Sequence, residues 1–341
     1  MDSTTTTNRV GYYDFLKFLG LSGIIFAHVE SPGLVMMLRS FDVPLMVMVS
    51  AMLSQCSYSK IKANHHSAAL YCISRFKRLV FPTWIFLTFY FALYYVLSGE
   101  AHDIKYYLAS YALTRYGIGY VWVILIYLYC AFLVPAFDKI GFSAKGIALV
   151  AIAYLSHEAG YFFGIGTQNK IILSTIYYII PYGTLAFIGF NYKNLSSKAK
   201  QLIMYSAFLI CMALGIYYWI RIGSPQRFSI VKYPPRLYYL TYGVFCSFAM
   251  LMFSEKHPLK IFESAIIKFI SVHSMWIYLW HILVLTIYDW LCNRFSFLPS
   301  SWYIKFFMVY TGSIIITVVA NKVLDAIEKI HRFTIIKYLR G

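Results

Sequence analysis

Apolar runs of about twenty residues recur from position 15 to position 320, separated by short polar stretches rich in Lys and Arg. Each run is long enough for a helix to cross a hydrocarbon layer of about 30 Å. The pattern predicts spans near 12–31, 34–54, 79–98, 117–137, 146–163, 171–190, 201–220, 237–254, 269–291 and 303–322. Polar and apolar residues do not alternate inside these runs, as 147–163 and 201–220 make plain. That excludes a membrane barrel of alternating strands. A helix also satisfies its own backbone in lipid, where water is absent. The expected fold is therefore all-α, a polytopic integral membrane protein of about ten transmembrane helices. One domain over 1–341 is expected, with no internal repeat and no soluble module.

Composition strengthens the reading. Of the 341 residues 60% are hydrophobic and only 13% charged, about half the charged share of a soluble domain. The net charge of +17 would point to nucleic acid in a soluble protein. Here it follows from Lys and Arg gathered in loops held in the cytoplasm, which excludes a nucleic-acid partner. Placing the N- and C-termini both in the cytoplasm puts most of the 30 Lys and Arg residues there. The loop 221–236 breaks the rule, since Arg221, Arg227, Lys232 and Arg236 would lie outside. An outer loop that keeps four cations is expected to need them. The six cysteines are scattered without metal-ligand spacing, so neither a disulfide framework nor a metal site is expected. Residues 1–8 are polar and lack the apolar core of a signal peptide.

Ionisable side chains inside apolar spans are costly and mark candidate sites. In the first span Asp14, Lys17 and His28 fall along one helical stripe. Asp14 and Lys17 are spaced to neutralise one another, a structural alternative that carries equal weight. His28 lies deeper, and a neutral imidazole there suits a general base; a helix–helix hydrogen bond is the bland alternative. Glu30 points away if the helix continues, but Ser31-Pro32-Gly33 is expected to end it and could turn Glu30 back. In the segment 66–82, Arg75 and Arg78 can present two guanidinium forks to one phosphate cluster. A stretch that only sets topology or touches anionic lipid would look alike. The ninth span carries His273, Trp276, Tyr278, Trp280 and His281 within nine positions, as the wall of an aqueous cavity lined for sugar or cofactor would; an aromatic belt at the membrane interface is the bland alternative. Asp42 in the second span, and Tyr233 and Arg236 in the basic loop, complete the substrate-side set.

These residues, in this order, resemble the acyltransferase-3 family of bacterial integral membrane acyltransferases. The likeness runs from Arg9 and Asp14-Phe-Leu-Lys17 through His28, Phe41-Asp42-Val43-Pro44-Leu45 and Ser50 to Arg75-Phe-Lys-Arg78-Leu and Pro82, and ends on Ile277-Tyr278-Leu279-Trp280-His281. Many members O-acetylate surface polysaccharides. The resemblance implies His28 as the catalytic residue, Arg75 and Arg78 as the acyl-CoA element, and a contributing role for Arg9. It implies acetyl-CoA as acyl donor, a polysaccharide or lipid-linked sugar as acceptor, contact with membrane lipid, and a bacterial cytoplasmic (inner) membrane. Two departures stand out. Ser50-Ala51 replaces the usual Ser-Gly, and Lys17 stands where Arg is common, which keeps the charge without the fork.

About fourteen helical residues, roughly 20 Å of rise, separate Asp14 from His28. A donor gripped at the cytoplasmic end would reach His28 by threading its pantetheine arm along the first helix. The expected activity is acyl transfer to a hydroxyl, with His28 as base or transient acyl carrier. Asp14 and Glu30 are its possible partners, and Lys17 assists the donor site. A transporter or flippase of a lipid-linked glycan is the main alternative. A glycan polymerase or ligase is expected to carry larger outer loops.

Overall fold

A computed structural model describes residues 11–295 and 301–330. Among the described residues the secondary structure is helical, with one isolated β-bridge between Lys232 and Pro235. Arg9 lies outside the described residues, as does the C-terminal segment beyond 330.

The first expected span is the helix α1, Gly11–Phe26. It ends short of the expected boundary because the chain tightens into i→i−3 bonding, with the His28 amide donating to the Ile25 carbonyl at 3.0 Å. His28 thus sits in the turn just past the helix. The second expected span, 34–54, is broken. A short helix α2, Gly33–Leu38, passes through the 3₁₀ turn Arg39–Phe41 into α3, Asp42–Ala63. The break brings Arg39 and Asp42 together, three residues apart.

The third span is longer than expected. α4 runs Ala68–Ser98, with Ser67 capping its start by accepting from the Leu70 amide at 3.2 Å, and Gly99 at φ 73 closing it. Arg75 and Arg78 therefore ride on the helix itself. Next come the short α5, Ile104–Tyr111, then α6, Trp122–Ile140, and α7, Ala144–Phe162. The sixth expected span divides into α8, Lys170–Ser174, and α9, Ile176–Asn191. α10, Ser197–Ile222, buries only Ala207 and Cys211, as a helix facing lipid would. The small helix α11, Phe228–Val231, lies in the basic loop ahead of α12, Leu237–Lys256. The ninth expected span is broken at His273 into α13, Ala265–Val272, and α14, Ser274–Arg294; α15 is Trp302–Ile330.

Among the described residues, eight segments are long and apolar enough to cross a membrane. The two remaining expected spans correspond to α1, which has 16 residues, and α7, which carries Lys145, His157 and Glu158. α3 is the central element, packed on α1, α6, α9 and α12. Small residues permit the closest approaches. A Cβ on Gly189 of α9 would come within 2.6 Å of the Met48 carbonyl oxygen, and one on Gly23 of α1 within 2.9 Å of the Asp42 Cβ. The second of these contacts seats the end of α1 directly over the break between α2 and α3.

Candidate active site

Two cavities lie along α1, one at its C-terminal end beside Ile24 and His28 and the other beside its middle turns at Lys17, Leu21 and Ile24. The first, of about 470 Å³, is lined by His28, Arg39, Asp42, Trp122, Arg227, Lys232, Tyr233 and Tyr278, among others. The second, of about 330 Å³, is lined by Lys17, Arg75, Arg78, Tyr127 and the α3 hydroxyl stripe Ser50, Ser54 and Ser57. Ile24, Val123 and Tyr278 belong to both walls. The cavities therefore meet back to back across three side chains.

His28 has a partner that lies far away in sequence. Its Nδ1 is 3.0 Å from Nε2 of His281 on α14, with the two rings nearly parallel. The edge of Tyr120 packs on the His28 ring at 4.7 Å. The hydrogens follow from the chemistry of the partners. His281 Nδ1 meets the Tyr278 carbonyl, and a carbonyl oxygen only accepts, so His281 Nδ1 carries hydrogen. In a neutral pair His281 Nε2 then accepts, His28 Nδ1 donates, and His28 Nε2 is left with a bare lone pair. That is the arrangement a general base requires. His281 itself is fully buried behind His28.

Around this pair the outer wall is cationic and aromatic. Asp42, fully buried, accepts from Arg39 Nη1 at 2.5 Å and from the Val43 amide at 2.8 Å, and lies 4.0 Å from Lys232 Nζ. Asp42 thus holds the cations of the wall in place. Lys232 is enclosed by the rings of Trp122, Tyr233 and Tyr239 at 5.5–5.8 Å. Burial lowers its ammonium pKa to about 8, against the pull of Asp42 in the other direction. Tyr233 packs on Trp122 and lies under the Arg115 guanidinium.

In the second cavity Arg75 donates to the Ser57 hydroxyl and stacks on Tyr71, and Arg78 stands one turn further on. The Tyr127 hydroxyl is buried there with no hydrogen-bond partner. Lys17 donates to the Ser271 carbonyl at 2.5 Å, while the Ser271 hydroxyl donates to Asp14 at 2.6 Å.

The structure therefore joins His28 with Tyr278 and His281, joins Asp42 and Tyr233 to the same cavity, and joins Lys17 with Arg75 and Arg78. Other expected residues go elsewhere. Asp14 is at the far end of α1 from His28 and ties α1 to α13. Glu30 is exposed at φ 56 and does not line the cavity beside His28. Arg236 donates to Glu158 of α7 at 2.8 Å and stacks on Tyr161, fastening the basic loop. Trp276 and Trp280 stack on one another at 5.7 Å, and Trp280 packs against Phe86 and Phe89 of α4. They form helix contacts, because the spacing of 276 and 280 places them on a different face from 278 and 281. Arg39 and Glu158 were not singled out by sequence reasoning. A charged residue in an apolar stretch was the available signal for each.

The family described as an acyltransferase domain matches residues 10–321, which takes in both cavities and every described element except the end of α15. No curated protein and no solved structure gave a match. A match over nearly the whole chain shows that the chain belongs to the acyltransferase-3 family and is a multi-pass membrane acyltransferase.

Proposed function

We propose that the protein moves an acetyl group from cytoplasmic acetyl-CoA to a hydroxyl of a cell-surface or lipid-linked glycan, in a bacterial inner membrane with both termini in the cytoplasm. The observation that carries this reading is the pair of cavities meeting at Ile24, Val123 and Tyr278, one presenting a general base and the other a cationic grip. Donor and acceptor can then approach from opposite sides and meet inside the protein.

The second cavity fits a phosphorylated donor. Arg75 and Arg78 supply forked donors, Lys17 a point charge, and Tyr127 and the serine stripe neutral hydrogen bonds. Arg9, outside the described residues, would add a further cation. When bound, acetyl-CoA supplies the activated thioester. The remaining chemistry belongs to the chain. His28 Nε2 takes the proton of the acceptor hydroxyl as that oxygen attacks. His281 holds the imidazole in the tautomer and orientation this needs, and the proton leaves again to the departing thiolate. Placing the base beside the hydroxyl avoids the encounter cost of a three-body reaction.

The test uses purified full-length protein in lipid nanodiscs, carbon-labelled acetyl-CoA and glycan extracted from the native envelope. Label should pass to glycan with wild-type protein, and the rate should fall about 10²–10⁴-fold with His28→Ala. Donor affinity should hold, since Arg75 and Arg78 line the other cavity. A folded His28→Ala protein that acylates at the wild-type rate would remove His28 from the mechanism. Glycan translocation without label transfer would favour a flippase.

A further inference from the structure

The first cavity carries more positive charge than a neutral sugar needs. Arg39, Lys232 and Arg227 all line it, and Asp42 is the carboxylate in the same wall. Asp42 meets Arg39 closely, but its 4.0 Å separation from Lys232 is beyond hydrogen-bond reach. Lys232 is only 6% exposed. Arg39 Nε is buried without a hydrogen-bond partner, and so is the Ser31 hydroxyl, another lining group. Buried donors left unpaired are costly, so a wall that keeps them is built for something that pairs with them. Carboxylate and phosphate oxygens are the acceptors that suit a guanidinium and an ammonium together. The cavity volume lies within the range of small-ligand sites.

Resting on the acyl-transfer reading, we infer that the acceptor is an acidic glycan or glycolipid whose carboxylate or phosphate docks on Arg39, Lys232 and Arg227, holding a nearby hydroxyl at His28. The aromatic rings of Trp122 and Tyr233 form the apolar side of the same subsite, suited to the C–H face of a sugar. Arg227, exposed at the rim, meets the anion first. The charge of the subsite also depends on pH. Lys232 faces Asp42, Arg39, Tyr233 and Tyr239, and shares the cavity with His28. Its ammonium is lost as pH rises through about 8.

The test compares binding to full-length protein in nanodiscs of three soluble probes: an oligogalacturonate, the same oligomer with its carboxyls methyl-esterified, and a short-chain isoprenyl phosphate. At pH 7 at least one anionic probe should bind about tenfold or more tighter than the neutral oligomer. The oligogalacturonate arm reports a sugar carboxylate and the isoprenyl arm a lipid phosphate. The preference should shrink between pH 7 and pH 9, and should fall several-fold in Arg227→Gln, whose exposed side chain can change without disturbing the fold. Arg39→Gln should abolish it. Should Arg39→Gln fail to fold, Arg227→Gln and the pH series still decide. Equal affinity for charged and esterified oligomers, or a preference unchanged in Arg227→Gln and at pH 9, would overturn the inference. Labelled acetyl transfer is measured on the same samples. A charge preference without transfer would leave the anion subsite standing and remove the enzymatic reading, whereas transfer to neutral and acidic glycans alike would do the reverse.

Discussion

At the scale of single residues, the feature that gives His28 its chemistry is a neighbour 253 positions away. Imidazole alone is indifferent about which nitrogen bears hydrogen; the Tyr278 carbonyl and His281 together decide it for His28. His281 therefore acts as a positioning residue, and its replacement should separate orientation from bulk packing. His281→Gln offers an amide oxygen that can accept from His28 Nδ1, and it should retain a substantial share of kcat. His281→Leu removes the acceptor and should lower kcat about 10–100-fold with KM for the donor little changed, the loss expected when a buried donor is left unpaired. Steady-state rates of both variants check this, and equal losses would assign His281 a purely structural part. The candidate base was legible in the sequence as an ionisable residue in an apolar run. Its partner reads in the sequence as part of a sugar-facing wall, because contacts between helices leave no periodic trace in a one-dimensional pattern. Asp14 and Glu30 were attractive as carboxylates near His28 in the chain, yet one is a helix length away and the other faces outward.

At the scale of elements, hydrophobic length located the helices well and located their breaks poorly. An apolar run reports that a segment is buried or in lipid, and says little about where the backbone turns. The interruptions at Arg39–Phe41 and at His273 were thus invisible, although the first assembles the cationic wall. α4 shows the converse. Its start at Ala68 carries Arg75 and Arg78 on one rigid helix, one turn apart, so the two guanidinium groups keep a fixed spacing. Alanine at either position should weaken acetyl-CoA binding about 10–100-fold, the range of one or two charge-assisted hydrogen bonds. Arg75→Lys should recover only part of that, because an ammonium cannot form the fork. Equilibrium binding of labelled donor measures both. Unchanged affinity in the two alanine variants would reduce the segment to a topology signal. Arg236 reads in the sequence as an acceptor contact, because a Tyr/Arg surface on a loop stiffened by Pro234 and Pro235 suits carbohydrate. Its ion pair with Glu158 shows instead how the basic loop is fastened over α7, leaving Arg227 and Lys232 to face the cavity.

At the scale of the whole molecule the outstanding question is how many helices cross. Among the described residues eight segments meet the length and hydropathy that crossing requires, and α1 and α7 are the two others expected to do so. Reporter fusions decide it. With α6 and α7 both crossing, fusions after Gly99, Lys170 and Asn293 report the outside, and those after Asn64, Lys200 and Gly341 the cytoplasm. If α7 lies within the protein without crossing, the signals after Gly99 and Lys170 fall on opposite sides. The sixteen residues of α1 span about 24 Å, less than a full hydrocarbon layer. A short first helix suits a protein hollowed by two cavities that meet beside it at Ile24.

That hollowing has an electrical consequence. Where water enters a membrane protein from both faces, the transmembrane voltage falls mainly across whatever dry layer remains, at about 2.3 kcal/mol per elementary charge for each 100 mV. With water in both cavities, that layer would be the partition of Ile24, Val123 and Tyr278. An energised membrane would concentrate its field there, next to the base and along the line on which an acyl group must pass. On the proposed reading the same three side chains are the insulation at this point, and a neutral acetyl group must pass them without a path opening for protons.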